Sequence, residues 1–189
     1  MKYGNRYRET METITEECRL TLSKVNPESV DEFVNVLLAA EKVFFIGVGR
    51  VMLSLEAMAK RFAHLGVNTV CVGQITDPAI TNADALIVGS GSGESVIPVS
   101  IAKIAKKYGA KIIYIGSNPE STMAGMADVF VRIPARSKLY LEDETESVQP
   151  MTSLFEQSLL LFGDTVAKLI IDKNNINIKE LWQCHANLE

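Results

Sequence analysis

Residues Ala85 to Tyr108 read ALIVGSGSGESVIPVSIAKIAKKY, an apolar run, a hydroxyl-rich glycine loop and a segment of helical period. Ala85 to Val88 suits a buried strand, and Val96, Ile97, Val99, Ile101, Ile104 and Ala105 recur at roughly helical spacing. Between them lies Gly89-Ser90-Gly91-Ser92-Gly93-Glu94-Ser95. Glycines there can take positive φ and bring backbone N–H groups close to a ligand, and the start of the following helix adds free donors and a partial positive charge. With Ser90, Ser92 and Ser95 as hydroxyl donors, the natural guest is a phosphate or phosphate ester. The loop has no lysine, so it is not a P-loop, and its glycines do not follow the dinucleotide fingerprint. A plain flexible turn is the competing reading.

The same strand–glycine turn–helix unit recurs at Val43-Phe44-Phe45-Ile46, which is followed by Gly47-Val48-Gly49-Arg50 and a helical segment to about Leu65. Thr69 to Val72, Ile112 to Ile115 and Val129 to Ile133 supply three more strand candidates, several of them β-branched and most separated by helical patterns. This alternation predicts an α/β fold with a doubly wound, five-stranded parallel sheet that binds ligands at the carboxyl ends of its strands.

Around that core the chain divides as one domain. Residues 1–41 carry two helical patterns. Met11, Ile14, Cys18, Leu22 and Val25 recur at three- and four-residue steps, and after Asn26-Pro27-Glu28 so do Val30, Phe33, Val34, Leu37 and Leu38. Residues 42–134 hold the sheet. Residues 135–150 are expected as a loop, in which the acidic run Glu142-Asp143-Glu144-Thr145-Glu146 reads as a solvated segment or, more sharply, a lid. Residues 151–189 begin with a long apolar helix to about Ile171 and end in a short helix and tail containing Trp182 and His185.

Composition limits the function classes. The chain has 189 residues, 47% of them apolar, enough for a sizeable core. A net charge of −4 opposes general attraction to nucleic acid or anionic membranes, so neither is an expected partner and a small anion must be caught locally. Cys18, Cys71 and Cys184 stand at unrelated spacings and read as reduced structural residues. No apolar run approaches the ~18 residues of a membrane span, and the expected location is the cytoplasm.

Gly47-Val48-Gly49-Arg50 with His64-Leu65-Gly66, the loop Ser90-Gly91-Ser92-Gly93-Glu94-Ser95, and the ending His185-Ala186-Asn187-Leu188-Glu189 stand in one order along nearly the whole chain. Together they resemble the sugar isomerase (SIS) fold and, within it, the 6-phospho-3-hexuloisomerases. The serine loop marks the wider group, which includes phosphosugar-binding regulators, while the C-terminal motif is more specific. The resemblance implies a sugar phosphate substrate whose phosphate is held by Ser90, Ser92 and Ser95, with Gly91, Gly93, Gly49 and Arg50 at the site. It also implies Glu156 as the base acting on the sugar carbons, His185 as a second acid/base group, and a homotetramer (or homodimer). No metal or cofactor is expected.

One segment departs from that family. Its usual Gly-x-Gly-Arg-Ser-Gly, with a lysine further along the helix, is replaced after Arg50 by Val51 and Met52, with Glu56 later. The difference bears on which sugar phosphate is used.

Plainer readings stand beside these. Glu156 reads equally as a structural carboxylate, His185 as a frayed terminal residue, and Arg50 as an ion-pair partner. His64 reads as a group at the end of its helix, and Ser117-Asn118-Pro119 as turn chemistry. A non-catalytic phosphosugar sensor is the alternative to an isomerase. Such regulators carry an attached effector domain, and the acidic segment ahead of Val43 makes a poor DNA-binding one.

Overall fold

The computed structural model of the chain describes residues 3–184 and 187. Strands β1 (Val43–Ile46), β2 (Thr69–Cys71), β3 (Ala85–Gly89), β4 (Lys111–Gly116) and β5 (Val129–Arg132) pair in the order β2-β1-β3-β4-β5, all parallel. This is the five-stranded sheet expected from the sequence, with β2 and β5 each ending one residue early. Around it lie α1 (Gly4–Leu22), α2 (Pro27–Ala39), α3 (Arg50–His64), α4 (Val96–Lys107), α5 (Thr122–Met126) and α6 (Ser153–Lys173), followed by a 3-10 turn at Glu180–Cys184. No helix among the described residues is long and apolar enough to cross a membrane.

Strand alternation sends side chains to two cores. Val43, Phe45, Ala85, Ile87, Ile113, Ile115, Val129 and Val131 meet Phe33 and Leu37 of α2, Leu55, Met58 and Phe62 of α3, and Leu154, Phe155, Leu159, Phe162 and Val166 of α6. Phe44, Ile46, Leu86, Val88, Ile112 and Tyr114 meet Ala102 and Ala105 of α4 and Met123 of α5 on the other face. Burial on both faces explains why the strands read as continuous apolar runs. Each large side chain buried this way contributes roughly 1.5–3 kcal/mol.

Three local features fix how α2, α3 and α6 sit together. Asn26 caps α2 by accepting from the Glu28 amide at 3.0 Å, with Pro27 in the first turn. Phe33 of α2 then stands edge-on to Phe162, ring centroids 5.4 Å apart, and ties α2 to α6. Gly163 lets α6 close on α3, since a Cβ there would stand 2.7 Å from Met58 Cγ. The N-terminal turns of α3 and α6 are thereby held side by side.

The 135–150 segment corrects one expectation. Its acidic run is not simply solvated: Glu144 and Thr145 are buried, and Ala135 pairs with Thr145 in an isolated parallel bridge. Glu144 accepts hydrogen bonds from Ser117 Oγ at 3.1 Å and from the amides of Ser137 and Leu141 at 3.0 and 3.1 Å. Arg132 Nη2 donates to Asp143 at 2.8 Å, and Arg136 pairs with Glu146. A run of like charge reads as solvated only while its carboxylates lack buried donors, and here backbone and side-chain groups converge on Glu144.

Candidate functional site

Leaving β1 the chain turns to one side to form β2, and leaving β2 it crosses to the other side to form β3, so the switch point of the sheet lies between β1 and β3. The two glycine turns read from the sequence both sit at its carboxyl edge. Gly49 caps α3 with φ +58°, a conformation that favours glycine. Val51, on the first turn of α3, wedges between the strand ends: its Cγ1 stands 3.3 Å from where a Cβ on Gly47 would be and 3.0 Å from one on Gly89.

The serine loop is held from beneath by β4 and the segment after it. Tyr114 Oη donates to the Ser90 carbonyl at 2.9 Å, the amides of Ser117 and Asn118 to the Gly91 carbonyl at 3.0 and 3.2 Å, and Asn118 Nδ2 to the Ser92 carbonyl at 3.2 Å. Three successive carbonyls therefore bond toward the protein. Among the described residues, the N–H groups of Gly91, Ser92 and Ser95 find no protein acceptor. Gly93, at φ +68°, lies so close to the platform that a Cβ would stand 2.2 Å from Ser121 Oγ and 2.6 Å from Tyr114 Oη.

Two of the three loop hydroxyls converge, while Ser92 Oγ accepts from the Glu94 amide at 3.4 Å. Ser90 Oγ, buried, accepts from the Gly93 amide at 3.1 Å and lies 3.2 Å from Ser95 Oγ. Ser95 is the N-cap of α4 but makes no side-chain cap, and Pro98 needs no partner in the first turn. Glu94 faces away, accepting from the Thr122 amide at 2.6 Å, a bond that holds its carboxyl below the usual range and ties the loop to α5. What remains at the edge is a set of N–H donors, serine hydroxyls and an uncapped helix start. This is the chemistry of an oxyanion or phosphate cradle.

Glu156 stands in the first turn of α6, one residue after Phe155, whose ring atoms lie 3.7 Å from where a Cβ on Gly91 would be. It is buried, and its carboxylate is bonded at both oxygens. Arg50 Nε donates to Oε2, forming an ion pair, and Thr152 Oγ1 donates to Oε1 at 2.9 Å. Ser54 Oγ donates to the Glu156 carbonyl at 2.9 Å and fixes its backbone to α3. The structure thus brings Arg50 and Glu156 together. Arg50 stands beside the glycine turn as an ion-pair partner, the plainer of its two sequence readings.

Other sequence candidates fall elsewhere. His185 lies outside the described residues. His64 is half-buried in the last turn of α3, its Nδ1 3.4 Å from the Arg61 guanidinium. Glu56 is exposed on α3 and Met52 half-buried. Asn118 serves the turn and the loop at once, through its bond to Ser92. Sequence reasoning missed Thr152, Ser54 and Tyr114. The first two stand one helical turn from Glu156 and Arg50 respectively, a spacing that places side chains on one face. An apolar hollow of about 310 Å³ between α2 and later turns of α6, lined by Leu22, Val30, Phe162 and Leu169, also holds Asp31, which would repel a phosphate.

Residues 36–161, more than half of the chain, match the SIS domain. A Mycobacterium gastri protein named 3-hexulose-6-phosphate isomerase is 37% identical over 186 residues, covering 98% of this chain and 93% of its own. A protein of the same name from Bacillus subtilis (strain 168) is 34% identical over 176 residues, covering 93% and 95%. The crystal structure of a Methanococcus jannaschii protein, described as inferring a function of 3-hexulose-6-phosphate isomerase, superposes with a TM-score of 0.82 at 30% identity, covering 96% of this chain and 99% of that one. With the sheet order, the serine loop and these relatives in agreement, the chain belongs to the SIS domain family.

Proposed function

We propose that the protein is a sugar phosphate isomerase that interconverts 6-phospho-3-hexulose and fructose 6-phosphate. The observation that carries this reading is the meeting of a phosphate cradle and a buried carboxylate on one edge, Phe155 packing on Gly91 while Glu156 follows it. The names of the relatives support it, with near-complete coverage on both sides.

In the proposed reaction the phosphate sits against the amides of Gly91, Ser92 and Ser95 and the hydroxyls of Ser90, Ser92 and Ser95. Glu156 removes the C2 proton of the 3-ketose, a cis-enediol forms, and a proton returns to C3 as the carbonyl appears at C2. The two carbons are adjacent, so one carboxylate serves both. The guanidinium of Arg50 faces the developing enediolate oxygens, and a preorganised cation there stabilises the charge where it grows. His185, the second acid/base group implied by the family, carries the proton between O2 and O3 in this scheme. A C3 ketone would need O6 to close a five-membered ring, and O6 carries the phosphate, so the substrate is open-chain and needs no ring-opening acid.

The test is turnover. Purified protein incubated with 6-phospho-3-hexulose is expected to yield fructose 6-phosphate. Tight binding of the sugar phosphate with no product above background would replace the isomerase by a sensor.

A further inference from the structure

We propose that Thr152 is a positioning residue for Glu156, its hydroxyl holding Oε1 so that Oε2 is the oxygen that moves the proton. The inference rests on the assignment of Glu156 as the base. Thr152 is the N-cap of α6, where a threonine oxygen ordinarily accepts from an amide of the first turn. Here it makes no such bond and donates to the carboxylate 2.9 Å away.

A hydroxyl that leaves its own helix uncapped to bind a charged oxygen one turn later forms a charge-assisted bond of fixed direction. Ser54 meanwhile pins the Glu156 carbonyl from α3. With backbone and Oε1 both tied, the partner free to leave is Arg50, whose side chain is 65% exposed against 9% for Glu156. A substrate arriving from solvent takes the place of Arg50 Nε at Oε2, the guanidinium passes to the neighbouring sugar oxygens, and Thr152 keeps the carboxylate from turning as it does. Without it the terminal carboxylate torsion is broad, and the plane in which the carboxylate meets the sugar carbons is not fixed.

The experiment compares Thr152→Val, Thr152→Ser and Glu156→Gln in turnover of 6-phospho-3-hexulose. Valine keeps the shape and removes the donor. The expected result is a kcat reduced about 10-fold or more in Thr152→Val, with KM within about twofold of wild type, because orientation rather than phosphate binding is lost. Thr152→Ser, which restores the donor, returns kcat to within about twofold. Wild-type kcat in Thr152→Val, or a serine variant as slow as the valine one, overturns the inference. Glu156→Gln separates the two levels of failure. If it is inactive while Thr152→Val turns over at the wild-type rate, the positioning role alone falls; if it retains turnover, the base assignment falls and the positioning role with it.

Discussion

Arg50 and Glu156, 106 residues apart in sequence, form an ion pair in which the first residue of α3 reaches the first turn of α6 across the carboxyl edge of the sheet. The pair is unequal, one partner being mostly exposed and the other nearly enclosed. Its solvent-facing half adds little to stability, of the order of 0.5 kcal/mol, because an exposed guanidinium is well solvated without its partner.

Replacing Arg50 therefore separates activity from folding. Arg50→Ala is expected to lower kcat/KM by about 100-fold, the usual loss when a preorganised charge at a developing oxyanion is removed. Its thermal midpoint should fall modestly, because the nearly enclosed Glu156 loses its cation and keeps the Thr152 donor. Steady-state kinetics beside calorimetry checks both, and an equal loss of stability and activity would recast the pair as structural.

The serine loop should fail in graded steps. Tyr114→Phe removes the buried donor to the Ser90 carbonyl and is expected to cost about 1–3 kcal/mol in urea unfolding and to weaken binding of fructose 6-phosphate. Gly93→Ala is more severe, because the added carbon meets Ser121 and the Tyr114 hydroxyl at a positive φ. Titration calorimetry with fructose 6-phosphate should show no measurable binding by the alanine variant. Unchanged affinity in both variants would remove the loop from the phosphate site.

Glu17 of α1 gives a pH prediction. Burial pushes its carboxyl up, but hydrogen bonds from Ser147 Oγ, the Val148 amide and Gln149 Nε2 outweigh that and leave it below the usual value. A carboxyl lowered on folding contributes fully above its unfolded pKa of ~4.3, and the contribution fades as pH falls through the folded value. Glu17→Gln is expected to lose about 1–3 kcal/mol at pH 7, with the gap to wild type closing below about pH 4. Urea unfolding at both pH values reads this directly, and a gap that persists at low pH would assign the effect to packing.

Much of the fold was legible because buried parallel strands must be continuous apolar runs, and Val43–Ile46 and Ala85–Gly89 cannot easily be anything else. The turn that carries the candidate cradle was legible for a similar reason, since three glycines and three serines between an apolar run and a helical period break both patterns. Contacts made across the chain were harder to read. Composition gave no sign that Glu144 would be buried among converging donors, and α5 is too short for its period to register. Glu156 entered only through family resemblance. Its link to Arg50 depends on the close packing of α3 and α6 at Gly163, which no local pattern announces.

The proton transfer itself is the most direct test. Fructose 6-phosphate incubated with the protein in D2O should acquire deuterium at C3, the carbon that exchanges through a 2,3-enediol, and the label should be lost in Glu156→Gln while the variant still binds the ester. Deuterium at C1, or at C3 in both proteins alike, would contradict the account.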